Sequence, residues 1–150
     1  MHPEISSFSS RLFYQQRLLD GPEMASLRRA PWHSPRFPPF SFYDLKSGKE
    51  SPSGSTLTNM EEAKAVLQLF DQLCSRHPSV NFSSRVGIIT PYRGQVRLLQ
   101  QLFERRYSAK CQDVVDIATI DGFQGQEKDV IILSTVRAGR QLSLDLCGLN

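Results

Sequence analysis

The amino-acid sequence predicts an α/β fold in which helices cover a mainly parallel sheet. Three apolar runs rich in β-branched residues have the length of strands: VGIIT at 86–90, VVDIATI at 114–120 and VIILSTV at 130–136. One amphipathic helical segment precedes the first run and another follows it. Strands that alternate with helices or loops in this way are typical of a parallel sheet between helical layers.

Length and composition set the broad class. A chain of 150 residues is one domain or part of one. Its 18 Lys+Arg against 15 Asp+Glu give a net charge of +3, which is compatible with a polyanionic partner without requiring one. No apolar run has the length of a membrane span, and the N-terminus lacks a signal-peptide pattern. Cys74, Cys111 and Cys147 form no paired metal signature, which favours reduced thiols and an intracellular protein.

The N-terminal third has the weakest pattern. A helix-like stretch starts at a cap on Ser6 or Ser7 and stops at Gly21, with Phe8, Leu12, Leu18 and Leu19 as candidate core residues. Residues 22–55 are proline-rich, so we predict an irregular insertion whose one strand is FSFYDL at 40–45. The GKES at 48–51 is not a phosphate loop, because Glu50 stands where a hydroxyl residue is needed.

The clearest helix is predicted at residues 59–76. Asn59 is the predicted N-cap, and Glu62 three residues later predicts a capping box. Its apolar residues recur at helical spacing: Ala63, Val66, Leu67, Phe70 and Leu73. We expect this helix to cover one face of the sheet.

The strand VGIIT leads directly into a second helix at 93–106. Thr90 is placed to cap this helix, and Pro91 fits its first position, where the missing amide hydrogen costs nothing. The carboxyl end of a strand that feeds a helix N-terminus is the usual place for ligands in open α/β sheets. Its apolar face is predicted from Val96, Leu99, Leu102 and Phe103.

The last two strands flank a polar loop at 121–129. The run 130–136 is almost continuously apolar, so we predict a central strand buried on both faces. The dipeptide Asp121-Gly122 would also suit the turn of a β-hairpin, which is the alternative to a parallel arrangement. A parallel crossover usually needs about a dozen residues. We therefore expect this shorter connection to contain a single helical turn.

The segments VGIITPYRGQ and VDIATIDGFQGQEKDVIILSTVRA together resemble the second RecA-like lobe of senataxin-type superfamily-one helicases. The segments HPEISSFSSRLFYQQRLLDG and SGSTLTNMEEA also resemble this lobe, so the similarity covers residues 1–138. Residues 139–150 form a divergent C-terminal tail. The resemblance implies a three-layer α/β/α RecA-like lobe of the P-loop NTPase type, incomplete at both ends. Family members close two such lobes on ATP and move along single-stranded RNA or DNA.

The resemblance assigns two groups of site residues. The nucleotide-facing motif corresponds to Gln124, Gly125 and Glu127, where the glycine backbone would approach the terminal phosphate and the carboxylate would contact the nucleotide. The residues beside the nucleic-acid groove correspond to Thr90, Pro91, Tyr92, Thr119, Asp121 and Arg137. The resemblance implies ATP and Mg²⁺ as cofactors of the complete parent protein, and single-stranded RNA or DNA and the first RecA-like lobe as partners. We expect an intracellular protein, nuclear rather than cytoplasmic, and no membrane as a partner.

Three parts of the family pattern are not found here. The family places an arginine directly before Met-His-Pro, whereas Met1 is the first residue of this sequence. The segment GRQLSLDLCGLN lacks the arginine-finger motif that follows in the family. The first lobe, which carries the phosphate-loop lysine and the magnesium carboxylate, is also missing from this sequence. Arginine fingers contribute several orders of magnitude to phosphoryl transfer. We therefore expect the chain alone to be catalytically incomplete and to bind no cofactor tightly.

Two alternatives belong to other functional classes. A metal-dependent nuclease could use Asp116, Asp121, Glu127 and Asp129, provided that these carboxylates converge on one point. A non-catalytic module that binds nucleic acid or a helicase partner is the nearer alternative. Salt-sensitive binding to single strands without ATP turnover would favour the binding module.

Overall fold

The computed structural model describes residues 2–21, 24, 30–108 and 113–138. The chain divides into two compact units, residues 1–44 and residues 45–150. The predicted divergent tail at 139–150 lies outside the described residues. Within the described ranges, no helix is both long and apolar enough to cross a membrane.

The first unit contains helix α1, Pro3–Phe13, which differs from the prediction at both ends. His2 caps the helix, because its Nδ1 accepts a hydrogen bond from the Glu4 amide (3.2 Å) and Pro3 occupies the first turn. The helix ends at Phe13, since Gln15 and Gln16 adopt left-handed backbone conformations. The predicted cap at Ser6 or Ser7 and the stop at Gly21 are therefore wrong. The four candidate core residues are exposed.

The strand predicted at 40–45 is also wrong. These residues make no strand pairing in the structure, and Phe40, Phe42 and Tyr43 are exposed. An apolar run forms a strand only where a neighbouring strand satisfies its backbone.

The second unit opens with a β-hairpin that the sequence did not predict. Strand β1, Ser51–Ser53, pairs antiparallel with β2, Thr56–Thr58. Helix α2, Met60–Arg76, follows directly and confirms the predicted helix. Asn59 is its N-cap as expected, and Ala63, Val66, Phe70 and Leu73 are buried.

The sheet contains three described strands in parallel. Strand β3, Val86–Thr90, pairs with β4, Asp116–Thr119, on one side and with β5, Val130–Leu133, on the other. The parallel arrangement expected for a RecA-like lobe is confirmed, and the hairpin alternative is wrong. The central strand is β3, not the run at 130–136. β5 has one neighbour among the described residues, and its Ile131 and Leu133 are exposed on one face of the sheet (45% and 53%).

The connection from β4 to β5 crosses the middle strand on that same face. It is ten residues long, from Ile120 to Asp129, and contains one 3₁₀ turn at Asp121–Phe123, as expected. It passes over Gly87, where an added Cβ would lie 2.5 Å from Phe123 Cζ. A glycine in the central strand therefore lets a short connection lie flat against the sheet.

Helix α3, Arg93–Tyr107, packs beside α2 on the opposite face of the sheet. The rings of Phe70 and Phe103 lie 5.3 Å apart between the two helices, and Ile88 and Leu99 are completely buried. Both helices begin near the carboxyl edge of the strands and run in the same direction. The predicted cap at Thr90 is wrong, since α3 begins after Tyr92, which has no side-chain capping bond.

Candidate nucleotide and nucleic-acid interface

The carboxyl ends of the three strands meet at one edge of the sheet. Thr90 of β3 pairs with Thr119 of β4, and the Ser134 amide donates to the Ile89 carbonyl just beyond β5 (2.9 Å). The segments that carry the predicted nucleic-acid contacts all leave from this edge: Pro91 and Tyr92, Thr119 and Asp121, and Arg137. A parallel sheet presents its ligand-binding loops at this position.

Thr90 differs from the other predicted edge residues because it is buried. Its side chain is completely buried, and its Oγ1 accepts a weak hydrogen bond from the Tyr92 amide (3.4 Å). Its carbonyl accepts from the Ile120 amide (3.1 Å) and ties the two strand ends together. A buried hydroxyl cannot reach a phosphate in this arrangement, so Thr90 supports the edge rather than lining the surface.

The other predicted edge residues are accessible. Pro91 and Asp121 are exposed, while Tyr92 and Thr119 are half-buried. Thr119 Oγ1 accepts a hydrogen bond from the Gly122 amide (3.2 Å), which fixes the start of the 3₁₀ turn. The hydroxyl and the backbone of this turn are thus held in place before any ligand arrives.

The predicted nucleotide-facing residues lie on the crossing connection. Gln124, Gly125 and Glu127 are exposed, whereas Phe123 just before them is buried against Gly87 and anchors the loop. Gly125 has φ +80°, which favours glycine, and an added Cβ would meet no atom within 4 Å. The loop therefore combines a fixed base with an open backbone and an accessible carboxylate.

Arg137 is half-exposed and held by Glu50. Its Nε lies 3.1 Å from Glu50 Oε2, and the Ala138 amide donates to the same oxygen (3.2 Å). Glu50 directly precedes the hairpin strand β1, so the hairpin reaches the edge where Arg137 lies. This pair occupies the Nε of the guanidinium, whereas the two terminal nitrogens have no partner among the described residues and can donate to a phosphate.

A buried polar network supports this edge, and sequence reasoning missed most of it. Gln95 is completely buried: its Oε1 accepts from the Asn59 amide (2.8 Å), and its Nε2 donates to the Asn59 carbonyl and to Ser134 Oγ (both 3.1 Å). The available signal was spacing, because Gln95 precedes Leu99 and Phe103 at intervals of four on the buried stripe of α3. A polar side chain on such a stripe indicates a buried hydrogen bond.

Glu62 makes only half of the predicted capping box. Its amide donates to Asn59 Oδ1 (3.1 Å), as expected for an N-cap. Its carboxylate does not return to the Asn59 amide, which Gln95 already binds. Instead it accepts from the amides of Thr135 (2.6 Å) and Val136 (2.8 Å). The long-range contact replaces the local one, which no local spacing could reveal.

Val136 is strained at this point. It is completely buried and has φ +70°, a conformation that β-branched residues rarely adopt. Such strain costs on the order of 1–3 kcal/mol and persists only where the surroundings enforce it. Here Glu62 holds the Val136 amide, and Asn59 Nδ2 donates to its carbonyl (3.1 Å).

Positive charge continues beside the hairpin. A groove of about 570 Å³ lies between the hairpin and the first turns of α2 and α3, and Lys49 and Arg97 line it with exposed side chains. Glu61 also lines the groove but pairs with Lys64 (2.8 Å). The exposed side chains of Lys49 and Arg97 make this groove suited to an anionic ligand.

The carboxylates proposed for a nuclease do not converge. Asp116 forms an ion pair with Lys128, and Asp129 pairs with Arg85 (3.4 Å). Across the part of the chain that the structure describes, no group of three or more His, Cys, Asp or Glu could hold a metal ion. The two-metal arrangement that nuclease chemistry needs is therefore not formed by these residues.

Comparison with known proteins gives consistent matches. The profile of the AAA domain family matches residues 1–148. The chain is 43% identical over 140 residues to Helicase sen1 of Schizosaccharomyces pombe, which covers 92% of this chain and 8% of that protein. It is 43% identical over 143 residues to the probable helicase MAGATAMA 3 of Arabidopsis thaliana, and this match covers 92% of this chain and 17% of that protein. It is 30% identical over 139 residues to the probable helicase senataxin of Homo sapiens, and this match covers 92% of this chain and 5% of that protein. The chain thus spans less than a fifth of the length of these relatives.

Proposed function

We propose that this chain, which belongs to the AAA domain family of senataxin-type superfamily-one helicases, forms one side of the nucleotide cleft and of the single-strand groove in an ATP-dependent nucleic-acid helicase. The complete helicase would couple ATP hydrolysis to the separation of RNA or RNA/DNA strands. Residues 1–138 would form part of its second RecA-like lobe, and a first lobe would complete the cleft. A nuclear location is part of the same proposal.

The observation that carries the proposal is the shared carboxyl edge of β3, β4 and β5. Accessible residues leave that edge from all three strands: Pro91 and Tyr92, Thr119 and Asp121, and Arg137. Hydroxyls, amides and a guanidinium are the groups that hold phosphates and position a nucleic-acid backbone. We leave Thr90 out of these proposed contacts because its side chain is buried.

The crossing connection is the proposed nucleotide side. The open backbone at Gly125 would allow a phosphate to approach closely, and the Glu127 carboxylate would accept hydrogen bonds from ribose hydroxyls. Gln124 would complete the contact. When bound, ATP and Mg²⁺ would supply the phosphoryl-transfer chemistry that drives the helicase.

Nucleic-acid binding by the 150-residue chain tests the proposed groove. We expect a labelled single-stranded oligonucleotide to bind in a salt-dependent manner in a fluorescence anisotropy titration. Arg137→Ala should weaken the affinity about 5-fold and reduce the salt slope by about 0.7, the loss of one phosphate contact. Arg105→Ala, in the last turn of α3 away from the edge, is the matched control and should change little. Equal affinity of wild type and Arg137→Ala would contradict the groove.

ATP turnover tests the expected incompleteness. Purified chain should hydrolyse no ATP above background, because the sequence contains neither the phosphate-loop lysine nor the arginine finger. Turnover that disappears in Glu127→Ala would overturn this expectation. Binding of single strands without turnover would also fit a non-catalytic binding module, which becomes the better description if a chain that includes the first lobe is inactive as well.

A further inference from the structure

The Glu62 carboxylate is placed unusually for a residue in the first turn of a helix. Both of its oxygens accept backbone amides from the segment after β5: Oε1 from Thr135 (2.6 Å) and Oε2 from Val136 (2.8 Å). Two adjacent amides bound by one carboxylate form a charge-assisted, bidentate contact. The contact joins residues more than seventy positions apart in the sequence.

This contact fixes the backbone immediately before Arg137. Val136 has a left-handed conformation that a buried valine does not adopt without support. Glu62 holds its amide and Asn59 holds its carbonyl, so both sides of the residue are restrained. The chain therefore turns at Val136 instead of continuing the line of β5, and the Arg137 side chain meets Glu50 at the hairpin.

We propose that Glu62 is a positioning residue: by holding Val136 in this conformation, it fixes the direction in which Arg137 faces the single-strand groove. Arg137 is exposed and long, and its direction would otherwise be set only by its own rotamers and by a half-exposed ion pair, which is weak in water. The restrained backbone removes part of that freedom before nucleic acid binds. The role of Arg137 in binding rests on the proposed function, whereas the restraint by Glu62 does not.

The chain contains a close control for the key variant. Glu62→Gln keeps the shape of the side chain but places an amide NH₂ against one of two backbone donors. Glu61→Gln changes the neighbouring carboxylate, which is exposed and pairs only with Lys64 in the same helix among the described contacts. Asp71→Asn provides a second control, since Asp71 lies at the other end of α2 and binds Arg106 and Tyr107.

NMR of the 150-residue chain measures the restraint without any ligand. In the wild type, the amides of Thr135 and Val136 should exchange with solvent at least about 10-fold more slowly than the exposed Gly125 amide, which has no described acceptor. Glu62→Gln should remove most of this protection and shift the Arg137 Nε–H resonance. Glu61→Gln and Asp71→Asn should leave both signals unchanged. Wild-type amides that exchange as fast as Gly125 would overturn the inference even if Glu62→Gln did not fold.

Oligonucleotide affinity then connects the restraint to Arg137. Glu62→Gln should weaken binding about 3- to 5-fold in the wild-type background and produce no further loss in an Arg137→Ala background. An equal loss in both backgrounds, or no loss despite mobile amides, would make Glu62 a structural residue only and overturn the inference. If Arg137→Ala binds the oligonucleotide as tightly as the wild type, the proposed groove is wrong. The positioning is then tested separately by NMR, where an Arg137 Nε–H resonance that does not shift in Glu62→Gln would overturn it.

Discussion

Helices α2 and α3 are joined in different ways at their two ends. At their amino-terminal ends, the buried side-chain amide of Gln95 binds the backbone amide and carbonyl of Asn59 and the hydroxyl of Ser134 beyond β5. At their carboxyl-terminal ends, Asp71 accepts hydrogen bonds from the Tyr107 hydroxyl and from Arg106 Nε (3.0 Å) in a partly exposed cluster. The first contact restrains backbone, and the second joins side chains.

The difference follows from what each end must support. The amino-terminal ends lie at the carboxyl edge of the sheet, where the proposed ligand contacts leave the strands. Directional hydrogen bonds between buried amides fix atoms there, and each buried polar group needs its partner. The carboxyl-terminal ends lie away from that edge, where solvent screens the Asp71–Arg106 pair.

Cys74 lies in this second region, and burial, with a smaller contribution from Asp71, raises the pKa of its thiol. A raised pKa lowers the fraction of thiolate at neutral pH, and the thiolate is the reactive form of cysteine.

The largest expected effect comes from breaking the buried end. Gln95→Ala leaves the Asn59 amide, the Asn59 carbonyl and the Ser134 hydroxyl without their partner in a buried site and opens a cavity. We expect the free energy of unfolding, measured by urea denaturation, to fall by about 3 kcal/mol or more. Gln101→Ala on the exposed side of the same helix should change it by less than about 0.5 kcal/mol. A loss below about 1 kcal/mol for Gln95→Ala would remove the contrast between the two ends.

A smaller effect is expected from Asp71→Asn at the other end. The variant removes the charge that binds Arg106 but retains an acceptor for the Tyr107 hydroxyl. The free energy of unfolding should fall by about 0.5–1 kcal/mol at low salt, and 0.5 M NaCl should reduce the difference. Glu104→Gln, an exposed carboxylate on α3, is the comparison variant. A loss as large as that of Gln95→Ala would show that the cluster restrains the helices as strongly as the buried network does.

The smallest effect is confined to alkaline solution. Burial first, and then the hydrogen bond to Asp71, raise the pKa of Tyr107 well above its usual value near 10. The folded state thus holds the phenolic proton more tightly than the unfolded state does. This contribution to stability is complete below pH 10 and is lost as the pH rises further.

Urea midpoints at pH 9, 10 and 11 measure this contribution. The wild type should lose stability above pH 10 more steeply than Tyr107→Phe, which has no proton to release. Tyr43→Phe, an exposed tyrosine, serves as the control and should follow the wild type. Superimposable profiles for wild type and Tyr107→Phe would contradict the assignment.

Local pattern was sufficient for α2, α3 and the three parallel strands of the second unit, but it did not predict the hairpin of β1 and β2. The spacing of Val66, Phe70 and Leu73 predicted α2, and the β-branched runs predicted β3, β4 and β5 as parallel strands. The resemblance carried by the loop at 121–129 led to the family that the comparisons then matched. Local pattern failed in the first unit, where Phe8 and Leu12 have helical spacing but remain exposed. Apolar residues at helical spacing predict a helix, but they are buried only where another part of the fold packs against them.

The sequence alone determined α2, α3 and the three strand runs of the second unit, because a helix or strand pattern depends on neighbours in the chain. It also predicted which loop has the chemistry of a ligand site. Only the tertiary structure decided that β3 is central, that Gly87 lets the connection cross it, that Thr90 is buried and that Glu62 restrains Val136. These facts depend on contacts between residues far apart in the chain. A carboxylate such as Glu62 can cap its own helix or bind two distant amides. The geometry of the whole fold decides between these contacts, and sequence spacing does not predict the outcome.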